Sequence, residues 1–405
     1  MGSYDAEAAA ARAGVSAAEL ERLSGLGVFD GEASGAYTDA DVRRLLVIGA
    51  FERSGLAVDD IARLLRSGSL SLDFIDVAGQ RVFAALSDTT FAKLSAQTGI
   101  AVELLLALRD ATGGKRASPQ DRVREDELRI VPLVRQQVEL GFRPQSITRA
   151  LRVSGDSLRR IAEAESEWWR AEIQEPMLAA GATAEEVGRR AAEVSPSLSL
   201  AVDQAIMAIY HAQQMHAWSA NLVDGLTSAL EQEGLLERER THPAMCFLDM
   251  TGYTELTQER GDAAAAELVD RLRLIVQRMA VEHGGRPVKW LGDGVMLHFS
   301  DPADGILAAL AMVTALADAG LAPAHVGLHA GPVVMQDGDY YGQTVNVAAR
   351  IGDYARPGEV LVSRAIVDAG STPLVTFDPI GPVELKGLSG PIELFAARRV
   401  DAAAR

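Results

Sequence analysis

Apolar residues recur at helical spacing from residue 8 to about residue 236, and then that periodicity stops. In the first stretch they fall three and four apart, as in Val42, Leu45, Leu46, Ile48 and Phe51, and alternating β-branched runs are scarce. After Arg240 short apolar segments take over, at 244–248, 287–291, 295–299, 325–328 and 358–362, separated by helical stretches such as 262–283. One bundle or one sandwich cannot accommodate both periods. The change predicts an all-helical domain over 1–236 and an α+β domain over 237–405, joined through the Glu- and Arg-rich segment 232–241.

The helical half repeats itself. Gly14-Val15 returns as Gly99-Ile100, 85 positions on, while Val42-Arg43 returns as Leu128-Arg129 and Gly55-Leu56 as Gly141-Phe142, each 86 positions on. One unit therefore stands twice, over about 4–70 and 90–154. Each copy reads as a short helix, a glycine turn, a second helix, a variable loop, a longer helix and a short one.

That order resembles the winged helix-turn-helix of the MerR regulators. A DNA-reading second helix needs Arg, Lys, Asn or Gln aimed at base edges and phosphates. Here it reads Ser16-Ala17-Ala18-Glu19-Leu20-Glu21-Arg22 in the first copy and Val102-Glu103-Leu104-Leu105-Leu106-Ala107-Leu108-Arg109 in the second, acidic or apolar in each case. Basic residues collect only in the second copy's loop, at Lys115, Arg116, Arg122 and Arg124. The whole chain carries 39 Lys and Arg against 56 Asp and Glu, a formal charge of -17, which disfavours phosphate backbones and anionic lipid. A protein-packing scaffold is expected rather than DNA binding.

Other classes fall away on composition. A single cysteine, Cys246, excludes an internal disulfide and a thiolate metal cluster within one chain. No apolar run reaches the roughly 18 residues of a spanning helix, and no secretion signal opens the chain, so a cytoplasmic protein is expected. His211 and His216 lie with Trp218 along one helical stretch. They read as packed or surface residues, although an imidazole titrating at about 6.5 is the natural acid switch.

Chemistry concentrates in the second half. The apolar strand Met245-Cys246-Phe247-Leu248 ends at Asp249, followed by Met250-Thr251-Gly252-Tyr253-Thr254 and a helix. Asp249 can be a helix cap, or a hard ligand for a divalent cation next to a helix start that receives phosphates. Gly292-Asp293-Gly294 reads as a hairpin turn between two strands. Asp249 and Asp293 are 44 positions apart with one long helix between them, so adjacent strands could bring both carboxylates to one pair of metals. Asn346 and Arg350 are one helical turn apart, on one face.

Taken in order, residues 247–254, Lys289 to Gly294, Gly342 to Arg350 and Leu385-Lys386-Gly387 resemble the catalytic domain of class III nucleotidyl cyclases, in its compact bacterial class IIIc form, over about 241–400. The resemblance implies a ferredoxin-like α+β domain working as a head-to-tail homodimer. It implies two Mg2+ or Mn2+ ions per site on Asp249 and Asp293, purine reading by Lys289 and Asp339, and ribose positioning and transition-state stabilisation by Asn346 and Arg350. Lys386 would contact the triphosphate, and the backbone at Gly252, Tyr253 and Thr254 its β- and γ-phosphates. The metal aspartates would come from one chain, and Lys289, Asp339, Asn346 and Arg350 from the other. A Lys donor toward N1 with an Asp acceptor toward the N6 amino group suits adenine, whereas guanine would oppose both to like partners. ATP is the expected substrate, closed to 3',5'-cyclic AMP with loss of pyrophosphate.

The helical half in turn is similar to the regulatory half of acid-activated soluble cyclases, through its helical order and through Val138-Glu139-Leu140-Gly141-Phe142-Arg143-Pro144. That similarity implies a pH-sensing, autoinhibitory and dimerising domain able to hold a fatty acid. The alternative is a DNA-binding regulator that keeps the cyclase fold as a nucleotide sensor.

Overall fold

The computed structural model describes residues 3–27, 36–68, 70, 72, 84–233, 235, 242–253, 258 and 261–400. The chain divides into two compact units, Met1–Leu226 and Thr227–Arg405. The expected boundary at 236/237 lies among residues outside the described ones.

The first unit runs β1 (Ser3–Tyr4), α1 (Ala6–Ala13), α2 (Ala17–Gly25), β2 (Tyr37–Thr38), α3 (Asp39–Arg53), α4 (Val58–Arg66), then β3 (Leu86–Thr90), α5 (Phe91–Thr98), α6 (Val102–Ala111), β4 (Arg122–Arg124), α7 (Glu125–Leu128) and α8 (Val131–Glu139). It continues with α9 (Pro144–Trp169), a π-helical turn at Arg170–Gln174, α10 (Glu175–Ala179) and the long α11 (Ala184–Gln232). The sequence repeat is visible as repeated local physics. Asp5 and Thr90 cap the first helix of each copy, and Gly14 and Gly99 end it at φ 72°, a left-handed conformation that glycine adopts without strain. Each copy closes its own core: Leu20, Leu23, Val42, Leu45 and Ile48 in one, Leu104, Leu105, Leu108, Val134 and Ile147 in the other.

Two features depart from the all-helical expectation. Short antiparallel pairs, β1 with β2 and β3 with β4, fasten the variable loop of each copy back onto its first helices. The basic loop of the second copy is also largely committed to protein. Arg122 donates to the carbonyls of Ser87 and Ala11 and to Asp88, and Arg124 pairs with Asp126. Beneath it the fully buried Glu127 accepts from Arg109 and from the Arg124 amide.

Beyond the repeat, α11 exposes Met215, Trp218, Leu222 and Leu226, three and four residues apart. A cavity of about 620 Å³ opens within the same unit between Trp168, Trp169, Leu178, Val187, Leu198 and Leu70. Among the described residues no helix is long and apolar enough to cross a membrane.

The second unit contains β5 (Ala244–Met250), α12 (Asp262–Glu282), β6 (Gly285–Leu291), β7 (Gly294–Phe299), α13 (Pro302–Asp318), β8 (Ala324–Ala330), β9 (Val334–Gln336), β10 (Asp339–Tyr341), α14 (Gln343–Tyr354), β11 (Val360–Ser363), α15 (Arg364–Ala369), β12 (Val375–Val383) and β13 (Ile392–Arg399). Seven strands form one mixed sheet in the order β12-β13-β11-β8-β5-β7-β6, parallel only at β8/β11; β9 and β10 form a separate hairpin. Strand alternation decides which side chains meet the chemistry. Ala244, Cys246, Leu248 and Met250 of β5 join Leu272 and Val276 of α12 and Met312 of α13 in the main core. Met245 and Phe247 turn to the opposite face and pack with Met296, Tyr340 and Ala348 of α14. Asp249, next in the alternation, belongs to that second face.

Candidate active site

Asp249 stands one residue from the end of β5, half-exposed, its Oδ1 accepting from the Met250 amide at 3.1 Å. The β6–β7 turn at Gly292-Asp293 lies beside it. A Cβ on Gly294 would come within 2.9 Å of Asp249 Oδ1 and 3.3 Å of the Leu248 carbonyl, so glycine here is what lets the turn approach the carboxylate. Partial burial and the charge of Asp293 push the Asp249 carboxyl above its ordinary range, partly offset by His325. His325 Nε2 stands 4.0 Å from Asp249 Oδ2 while its Nδ1 meets the Thr251 hydroxyl at 3.3 Å.

Two hard carboxylates that raise one another's energy fit a divalent cation, which would remove that repulsion. Among the described residues no three His, Cys, Asp or Glu side chains surround a common point. A pair of carboxylates of this kind suits a hard divalent cation that completes its shell with water and other oxygens.

Asn346 and Arg350 project from α14 and, with Asp249, His325 and Asp353, line one cleft of about 240 Å³. Arg350 is held by Asp353 at 2.6 Å. The placement of α14 has a backbone cause. Gly327 of β8 faces Gly352 of α14, and a Cβ on Gly327 would lie 2.1 Å from the Gly352 nitrogen. The Thr344 hydroxyl donates to the Pro332 carbonyl at 2.7 Å and fixes the other end of the helix.

Lys289 on β6 and Asp339 on β10 meet away from that cleft's lining, Nζ to Oδ2 at 3.1 Å. Lys386 sits exposed in the turn between β12 and β13 and is not among the residues that line the cleft. Gly252 is exposed and has φ 76°, while Tyr253 packs its ring against the main core. Thr254 lies outside the described residues. So does most of the helix start expected after Asp249; the next long helix described begins at Asp262.

Sequence reasoning read Gly294 only as part of a hairpin turn, and passed over Gly327, Gly352, His325 and Asp353. Gly294 had a signal, since a glycine directly after Asp293 is more than a two-residue turn requires. Gly327, Gly352 and His325 answer to partners distant along the chain, whereas Asp353 stands only three residues from Arg350 on α14.

Residues 237–397 match the adenylate and guanylate cyclase catalytic domain, and residues 40–215 match the adenylate cyclase regulatory domain. A pH-sensitive adenylate cyclase of Mycobacterium tuberculosis is 28% identical over 317 residues, covering 76% of this chain and 77% of that protein. An uncharacterised protein of Mycobacterium bovis is 31% identical over 252 residues; the match covers 60% of this chain and 62% of that one. Among solved structures, the adenylyl cyclase CyaB from P. aeruginosa aligns with 41% of this chain and 98% of its own, at 23% identity and a TM-score of 0.36. The two domain matches follow one another in the order of the helical and sheet-containing units: the chain carries an adenylate cyclase regulatory domain ahead of an adenylate and guanylate cyclase catalytic domain.

Proposed function

We propose that the chain is a cytoplasmic adenylate cyclase that closes ATP to 3',5'-cyclic AMP and pyrophosphate at a site shared between two copies, with residues 1–236 regulating residues 237–405. The observation that carries this reading is the approach of the Asp293 turn to Asp249, which brings two carboxylates together at the end of β5. In the reaction the ribose 3'-oxygen bonds to the α-phosphorus, the bond from that phosphorus to the bridging oxygen of the β-phosphate breaks, and the hydroxyl proton is lost.

Asp249 and Asp293 would hold two Mg2+ or Mn2+ ions. When bound, these lower the cost of charge on the attacking and leaving oxygens. Lys289 donates to adenine N1 and Asp339 accepts from the N6 amino group. Asn346 orients the ribose. Arg350 exchanges Asp353 for the phosphate as charge develops there, and a planar guanidinium with five donors suits that task. Lys386 contacts the triphosphate, and the backbone around Gly252, Tyr253 and Thr254 receives the β- and γ-phosphates.

Two exposed surfaces suit a second copy: Val334, Met335 and Tyr341 on the β9–β10 hairpin, and the Met215, Trp218, Leu222 and Leu226 stripe of α11. The tryptophan-lined cavity is large and apolar enough for an acyl chain, which supports a fatty acid as regulatory ligand.

The test is cyclic AMP production from ATP with Mg2+ or Mn2+, scanned from about pH 5.5 to 8 around the imidazole range. Activity that disappears in Asp249→Ala and in Asp293→Ala singly is expected; activity in either variant contradicts the metal assignment. Removal of residues 1–236 should change the activity and flatten its pH response. An unaltered profile would contradict regulation by the helical half.

A further inference from the structure

Lys289 and Asp339 come from different elements, an edge strand and a hairpin that is not part of the main sheet. Something must set their spacing, because a hydrogen-bonding pair that reads a purine edge loses discrimination when its geometry slackens. The residue next to Asp339 does this. Tyr340 is 8% exposed, and its ring stacks on His298 of β7 with centroids 4.5 Å apart and planes 7° from parallel. Its hydroxyl accepts from Arg286 at 2.7 Å, and the same guanidinium nitrogen reaches the Met335 sulfur at 3.8 Å, so one arginine grips both strands of the hairpin. The Tyr340 amide in turn donates to Asp339 Oδ1 at 2.8 Å, leaving Oδ2 for Lys289.

The sheet is adapted to this. Arg286 pairs with His298 and Lys289 with Met296, so two residues three apart share one face. Simple alternation would put them on opposite faces; an irregularity between Pro287 and Lys289 inserts one residue and restores the match. Burial and the nearby Arg286 push the His298 imidazole down to about 4, so it stacks on Tyr340 as a neutral ring between about pH 5.5 and 8.

We infer that Tyr340, clamped by His298 and Arg286, is a positioning residue for base selection: it fixes Asp339 against Lys289 and so sets the preference of the site for adenine over guanine. This inference rests on the assignment of Lys289 and Asp339 as the base-reading pair.

The experiment compares kcat and KM for ATP and for GTP in full-length wild type, Asp339→Ala, Tyr340→Ala, Tyr340→Phe, Arg286→Met and the Tyr340→Phe/Arg286→Met double variant. Asp339→Ala tests the underlying assignment: an unchanged ATP-to-GTP ratio of kcat/KM removes it, and the inference with it. Tyr340→Ala should raise KM for ATP by about tenfold and lower the ratio by about tenfold, with a smaller change in kcat. Tyr340→Phe keeps the stack and loses the hydroxyl's bond to Arg286, so it should lower the ratio less than Tyr340→Ala does, by about threefold. Arg286→Met should lower it at least as far, since it also gives up the Met335 contact, and the double variant should be no worse than Arg286→Met alone, because both substitutions delete the same Tyr340–Arg286 hydrogen bond. If Tyr340→Ala does not fold, the phenylalanine and methionine variants carry the test alone. A ratio altered by Asp339→Ala but untouched in every Tyr340 and Arg286 variant would overturn the inference. So would an equal loss of kcat with both nucleotides at constant KM.

Discussion

The crossing of Gly327 and Gly352 gives the sharpest mutational test of how the fold holds α14, the helix that carries Asn346 and Arg350. In Gly327→Ala the new Cβ would lie 2.1 Å from the Gly352 nitrogen and 2.6 Å from its Cα and from the Ile351 carbonyl carbon. All three are backbone atoms, so no rotamer change relieves the contact. Restoring an ordinary separation of 3.4 Å displaces α14 from β8 by about 1.3 Å. Asn346 and Arg350 ride on that helix, whereas Asp249 stays on β5. A misplacement of about 1 Å between reacting groups can cost about 100-fold in rate. The overpacking itself should cost about 1–3 kcal/mol, lowering the melting temperature of a unit this size by roughly 2–12 °C. The assay is steady-state cyclic AMP production beside a circular-dichroism melt, with Gly225→Ala as control, since nothing lies within 4 Å of a Cβ at that helical position. We expect kcat to fall about 100-fold with KM much less affected, while Gly225→Ala keeps full activity. Wild-type kcat in Gly327→Ala would refute the reasoning.

Other predictions concern stability. Arg109→Met leaves the fully buried Glu127 without its guanidinium, which should cost about 3–5 kcal/mol and lower the melting temperature of the helical unit. Adding Glu127→Gln should recover part of that loss, and a melt equal to wild type would contradict a stabilising buried pair. His329, buried against Ser363 with Nδ1 2.7 Å from Oγ, has its imidazole pushed down to about 4 by burial. Its folded pKa lies below the unfolded value of about 6.5, so the unfolded chain takes up the proton first as pH falls. The stabilisation is present above pH 6.5 and is lost progressively toward pH 4, on the order of 3 kcal/mol in full. His329→Asn, which keeps a polar group near Ser363, should melt with a shallower pH dependence between pH 7.5 and 4.5, and identical slopes would exclude this role.

Much of the architecture could be read before any coordinates because it rests on local periodicity. The loss of helical spacing near residue 236, the strand before Asp249, the Gly-Asp-Gly turn and the duplicated helix ends at Gly14 and Gly99 each depend on residues close in sequence. The two small strand pairs in the helical half were not legible, because β1 and β2, like β3 and β4, pair across more than thirty residues and present only two to five residues each. The irregularity beside Val288 was hidden for a different reason. Pro287-Val288-Lys289 looks like ordinary strand, and only the pairing of Lys289 with Met296 shows that alternation has slipped. Gly327 likewise carries no local mark, since its reason for being glycine is a helix 25 residues further on.

Whether the catalytic site belongs to one chain or two is tested most directly by mixing two dead enzymes. Asp293→Ala removes a carboxylate proposed to hold metal and Arg350→Ala the guanidinium proposed to meet the phosphate, so each alone should produce no cyclic AMP. In an equimolar, fully exchanged mixture half of the dimers pair one of each, and one of the two sites in such a dimer is whole, so about one quarter of wild-type activity should return. No recovery, with exchange of subunits verified, would contradict a shared site and return Asp249, Asn346 and Arg350 to the single-chain cleft that they line together.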